Sequence, residues 1–190
     1  MCSASTSTAC GRPWSTTGEI GPLTLLFGRA VKRLPDGELR LRLSARERDV
    51  LRSLPAQLRA LLEAAPDDPT VRRLAPPAYR DDAEHEAEYR RLMGDDLSER
   101  RLAALAVLEE TAGAERLSEE QAHGWVAALN SLRLVLGTQL DVSEEMEDVP
   151  TDPDDPRAPA FALYGYLSGL LSELVEALSE GLPEVVDDDS

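Results

Sequence analysis

An all-α fold, a compact helical bundle of four main helices entered through a short N-terminal β-hairpin, is what this chain of 190 residues predicts. Three observations lead there. Leu, Ala, Arg and Glu dominate, β-branched residues are few and aromatics make up only 4%, a balance that favours helices. Apolar residues recur at helical spacing over several long stretches. Start signals of the form S-x-x-E and S-x-x-Q stand directly before two of those stretches.

Residues 1–28 are rich in Ser, Thr, Gly and Pro ("MCSASTSTACGRPW") and carry neither a helical nor a strand period. They are expected to be a disordered lead, or a segment upstream of the true start. One helical domain is expected over residues 29–180. It opens with Pro35-Asp36-Gly37, a turn signal, followed by Leu39, Leu41 and Leu43 alternating with Arg40 and Arg42, the period of a half-buried strand. Ser44 and Glu47 form a capping box, after which Leu51, Leu54, Leu58, Leu61 and Leu62 share one stripe. Pro55 lies inside that helix and predicts a kink or a break.

A short helix is expected around Thr70–Leu74, and a polar surface helix over "AEHEAEYRRLM". Asp95 or Asp96 is expected to cap a separate helix running to about Thr111, with Leu97, Arg101, Leu105 and Leu108 on one stripe. Ser118 with Gln121 opens the helix "HGWVAALNSLRLVLGTQL". Residues 143–157 form an acidic loop, expected to be solvated and mobile. The last helix, about Ala158 to Ser179, aligns Leu163, Leu167, Leu170, Leu171, Leu174 and Leu178. The acidic tail, residues 181–190, is expected to fray.

Charge narrows the function. The formal net charge is −16, and Lys32 is the only lysine. DNA affinity comes largely from Lys and Arg neutralising phosphates, so direct nucleic-acid binding is not expected. No apolar run approaches the roughly 20 residues that span a bilayer. No membrane association is expected, and a cytoplasmic location follows as the expectation.

Catalytic and cofactor motifs are missing. There is no glycine-rich phosphate loop and no Gly-x-Ser-x-Gly elbow. "HEAEY" begins at His85 like a zinc helix but carries Tyr89 where the second histidine would stand. The acidic loop lacks the D-x-D-x-D-G spacing that folds around calcium. No catalytic residue, cofactor or metal is therefore expected, and the protein is read as a non-enzyme. Cys2 and Cys10 are close enough in sequence to close a small loop on oxidation, a redox pair if the lead is made at all.

The helix from His123 to Leu140 is apolar on more than one side. At about 100° per residue, Trp125, Leu129, Leu132, Leu136 and Leu140 form one stripe. Val126, Asn130, Arg133 and Gly137 form a second beside it, so the helix is expected to be central. Gly137 suggests that something approaches closely. Asn130 and Arg133 need partners if buried, with Asp95, Asp96, Tyr164 and Tyr166 as candidates. Their readings are a polar network that sets helix register, a pocket for an anion or a partner's carboxylate and, last, catalysis, for which no recognisable set of residues stands.

"DPTVRRLAPPAYRDD", "WVAALNSLRLVLGTQL" and "DDPRAPAFALYGYLSGLLSELVEAL" occur here in that order. Together they resemble the actinobacterial domain-of-unknown-function family 2017, over about Arg29 to Leu178. The resemblance implies a cytoplasmic, non-enzymatic protein whose genes tend to neighbour a Clp protease adaptor and a sulfur-carrier cysteine-synthesis module. Some members are described as oxidative-stress regulators acting through a sigma factor. The motif positions are Asp68, Pro69, Arg72, Arg73, Tyr79, Arg80, Trp125, Asn130, Arg133 and Gly137, and the family attaches no chemistry to them. Residues 1–28 are an extension, so Cys2 and Cys10 gain no support from it.

The expected function is thus regulation or adaptation through a protein partner, a sigma factor or a Clp-linked component. Arg72, Arg73, Tyr79, Arg80, Arg101, Trp125, Asn130 and Arg133 are the candidate partner surface or polar network, since Arg, Tyr and Trp serve as interface anchors. The alternatives are a small-anion sensor with a pocket around Asn130 and Arg133, and a structural protein.

Overall fold

The computed structural model describes residues 29–64, 68–74, 78, 82–142, 152 and 154–180. The chain enters through strands β1 (Val31–Arg33) and β2 (Leu39–Leu41). Helices α1 (Ala45–Ala64), α2 (Pro69–Arg72) and α3 (Ala83–Thr111) follow. A third strand, β3 (Arg116–Leu117), leads into α4 (Glu119–Gln139), and α5 (Ala158–Ser179) ends the described fold. The mostly helical fold is as expected, with four long helices and one short one among the described residues.

The hairpin forms where the turn signal stands. Gly37 takes φ 88°, a backbone state open to glycine at no steric cost, and its N–H donates to Leu34 O at 3.0 Å. Val31 pairs with Leu41 and Lys32 with Arg40. β3 then adds antiparallel to β2, placing Leu117 opposite Leu39. The expectation had only two strands; a two-residue strand carries too little alternation to be read from sequence. Val31, Leu39, Leu41 and Leu117 all point into the core, each no more than 3% exposed.

Both capping boxes close. Ser44 N–H donates to Glu47 Oε2 at 2.7 Å while Glu47 N–H donates to Ser44 Oγ at 3.3 Å. Ser118 N–H donates to Gln121 Oε1 at 2.9 Å, and Gln121 N–H to Ser118 Oγ at 3.2 Å. Of the kink or break expected at Pro55, the break does not occur: α1 continues through it, with Pro55 itself buried. Leu51, Leu54 and Leu58, on both sides of the proline, bury on one core, and that shared burial outweighs one lost backbone hydrogen bond.

The separate helices expected on either side of Asp95 and Asp96 are instead one, the 29-residue α3. Asp96 does not cap. Its carboxylate grips Arg100 one turn on, with Oδ2 at 2.9 Å from Nη2, which supports a continuing helix. Extension adds one hydrogen bond per residue, whereas a new helix would meet the nucleation cost again. Asp82 caps the true start, accepting from Glu84 and His85 N–H at 3.1 Å each. Leu97, expected on the apolar stripe, is 38% exposed, and among the described residues of α3 the first buried one is Ala104.

α4 is central, touching α1, α2, α3, α5 and β3. Its buried residues cover a broad arc that includes Trp125, Ala128, Leu129, Leu132 and Leu136. α5 closes the bundle with Leu163, Leu167, Leu170 and Leu174 inward, while Leu171 and Leu178 are half-buried. It also covers the open edge of the sheet, where Val31 N–H donates to Glu173 Oε2 at 2.9 Å.

Candidate functional site

The first motif of the sequence builds α2. Asp68 Oδ1 accepts from Thr70 N–H at 2.8 Å, and Pro69 occupies the first turn, where its missing N–H costs nothing. The Thr70 hydroxyl and N–H hold the Asp68 carboxyl below its usual range. Val71 and Leu74 turn inward and Arg73 stays exposed. The Arg72 side chain, Tyr79 and Arg80 lie outside the described residues, as do Cys2 and Cys10, residues 1–28, most of the acidic loop and the tail.

On α4, Trp125 is fully buried and its indole N–H donates to Thr111 Oγ1 on α3 at 2.7 Å. Asn130 and Arg133 are half-buried. Arg133 Nη2 donates to Asn130 Oδ1 at 3.3 Å, a bond within one helix, and Arg133 Nε is buried without a hydrogen-bond partner. Among the described residues neither joins Asp96, Tyr164 or Tyr166, and the Asp95 side chain lies outside them. The close approach expected at Gly137 is real: a Cβ there would stand 3.0 Å from Tyr164 Cε2, so the glycine lets the α5 ring lie against the α4 backbone.

Arg101 sits at a cleft of about 380 Å³ between α1, α2 and α3. Leu62 of α1 with Val71 of α2 and Leu74 just after it form apolar walls. Ser98, Glu63 and Leu102, the last 43% exposed, stand at its rim. Of its two arginines, Arg59 is claimed by the Glu109 carboxylate. Arg101 has no carboxylate among the described residues; its Nη2 donates to Leu74 O at 2.7 Å. Partial burial pushes its guanidinium below the usual arginine value. It remains a cation held in half-apolar surroundings by one neutral acceptor.

Two features escaped the sequence reading. Arg48 of α1 reaches the end of α3 and donates from Nη1 to Ala112 O at 3.2 Å and also to Ala114 O, satisfying carbonyls that the helix leaves over. The outer face of the sheet carries Lys32, Arg40 and Arg116 in adjacent cross-strand positions, with Arg42 beyond them, all exposed. Among the described residues only Arg116 of these has carboxylate partners, Glu38 at 3.0 Å and Asp36 at 3.2 Å, which raise its pKa. The alternation of Leu39, Arg40, Leu41 and Arg42 already held that signal: burying the leucines turns both arginines outward together.

Among the described residues no group of three or more His, Cys, Asp or Glu is placed to hold a metal, and no helix is long and apolar enough to cross a membrane. The described fold is thus a helical bundle with a three-stranded sheet, an arginine-lined cleft and a cationic sheet face. The chain belongs to the family described as domain of unknown function DUF2017, whose profile matches residues 28–178. It is 29% identical to a protein named oxidative stress regulator AosR from Mycobacterium tuberculosis strain H37Rv, over 89% of this chain and 96% of that one. A protein of Mycobacterium leprae, named putative oxidative stress regulator AosR, is also 29% identical, over 89% and 97%. No solved structure matches the chain significantly.

Proposed function

We propose that this protein is a non-enzymatic regulator of the oxidative-stress response that acts through a protein partner in the cytoplasm. A sigma factor is the partner class to test first and a Clp-linked component the second. The observation that carries this reading is the extent of the likeness to proteins named oxidative stress regulators, which covers 89% of this chain and 96% of the mycobacterial one. The surface offered to such a partner is the outer face of the sheet. Lys32, Arg40 and Arg42 form a local cationic face on a body of net charge −16. A nucleic acid, anionic along its whole length, would meet the repulsion of that body, whereas a protein of mixed charge can set acids on the sheet and bases elsewhere.

The test is retention of purified sigma factors, RNA polymerase and the Clp adaptor on the immobilised chain at about 150 mM salt. Retention of one of them is expected, weakened roughly tenfold by the double substitution Lys32→Glu and Arg40→Glu. If none is retained, the partner reading is wrong; equal retention by the double variant would move the interface off the sheet.

A further inference from the structure

We infer that the α1–α2–α3 cleft is a binding site for a small monocarboxylate with an apolar body. This goes beyond the partner reading and does not depend on it. Arg101 points to the anion. A guanidinium carries five donors in a planar fork, and one N–H on Leu74 O leaves that fork largely unused at a half-buried position. A carboxylate on the remaining edge would take two parallel hydrogen bonds and give Arg101 the direct ion pair that no described residue supplies. The other cation of the cleft, Arg59, already has Glu109, so Arg101 is the cleft cation that no described carboxylate bonds.

The walls set the rest of the ligand. Leu62 of α1, Val71 of α2 and Leu74 after it present aliphatic surface, and Leu102 leaves 43% of its surface in water until something covers it. The volume of about 380 Å³ lies at the small end of ligand sites, which run from about 300 to 1,000 Å³. Glu63 at the rim adds a negative charge that disfavours a second carboxylate on the ligand. Branched-chain and aryl monocarboxylic acids fit these demands; dicarboxylates and sugar phosphates do not. Binding would bridge Arg101 on α3 to the turn that ends α2, where that arginine already holds the Leu74 carbonyl.

The probe is 4-methylpentanoate, titrated into the isotope-labelled full chain with the methyl signals of Leu62, Val71, Leu74 and Leu102 observed by NMR. Saturable shifts at these methyls, with a Kd of about 1 mM or tighter, are expected. On the same unaltered chain, 4-methylpentanamide keeps the apolar body without the charge, and 3-methylglutarate adds a second carboxylate. Each is expected to bind about tenfold more weakly, as is the acid to Arg101→Gln. Three results would overturn the site: no saturation by about 10 mM, equal binding of acid and amide, or shifts confined to other parts of the chain. The amide comparison decides the matter even if Arg101→Gln disturbs α2. Because no protein partner is present, its failure would leave the partner reading untouched.

Discussion

Tyr166 lies 3% exposed on the inner face of α5, and its hydroxyl is buried without a hydrogen-bond partner in bonding geometry. Burial, with the Glu47 carboxylate next in importance, pushes the phenol well above its usual value of 10.0. Two consequences follow for this residue. Tyr166→Phe removes an unsatisfied polar atom and keeps the ring, so the urea midpoint is expected to stay level or rise by the equivalent of up to about 1 kcal/mol. A loss above about 1 kcal/mol would show that the hydroxyl has a partner. In alkali the folded chain holds this proton where the unfolded chain releases it. The raised pKa therefore favours folding fully below about pH 10 and less as pH climbs beyond it. Denaturation curves between about pH 9 and pH 11 should show that decline, and Tyr166→Phe should flatten it.

Glycines separate packing from propensity at the level of the helix. At Gly124 of α4 a Cβ would stand 2.9 Å from Val107 Cγ1 and 3.2 Å from Val107 Cβ. A β-branched side chain so close to its own backbone cannot swing away. Gly124→Ala is expected to lower stability by about 1–3 kcal/mol, against a helix-propensity gain of about 1 kcal/mol. Among the described residues no atom beyond the helix's own nearby backbone stands within 4 Å of such a Cβ at Gly94 of α3, so Gly94→Ala should stabilise by up to about 1 kcal/mol. Thermal unfolding of the two variants checks the contrast, and a rise in Tm for both would mean that the α3–α4 contact is looser than its geometry. Gly94 also explains part of what the sequence hid. Next to Asp95 and Asp96 it resembles a helix boundary, yet cap residues compete with continuation, and the Asp96–Arg100 pair settles that contest for one helix. The capping boxes at Ser44 and Ser118 were legible because both halves of the motif lie within one turn. The Arg101 cleft was not, since Leu74, 27 residues away, supplies its acceptor and α1 a wall. Arg101 itself was visible as a cation on an apolar stripe, but spacing along one helix cannot say what faces it.

Across the whole molecule, charge is the term that packing does not balance. Thirty-six acidic side chains stand against twenty basic ones, and the described ion pairs are mostly exposed, as at Arg116 and Arg157. Exposed pairs of this kind are each worth little. Several nevertheless tie distant parts together: Arg29, before β1, reaches Glu176 and Glu180 at the end of α5, and Arg33 reaches Glu119 at the start of α4, 3.0 Å away. Added salt weakens those links, but it also screens the repulsion within a body of net charge −16. Repulsion is summed over the molecule while the links are few, so screening should win. Tm is expected to rise by several degrees between about 10 mM and 300 mM sodium chloride, a gain on the order of 1–2 kcal/mol for a chain of this size. Chloride suits the measurement better than sulfate, which strengthens burial by exclusion from the surface and would raise Tm for another reason. A Tm that falls with sodium chloride would mean that the ties from the sheet to α4 and α5 outweigh the net charge. In that case Arg29→Ala should remove most of the salt dependence, whereas under dominant repulsion it should leave the slope nearly unchanged.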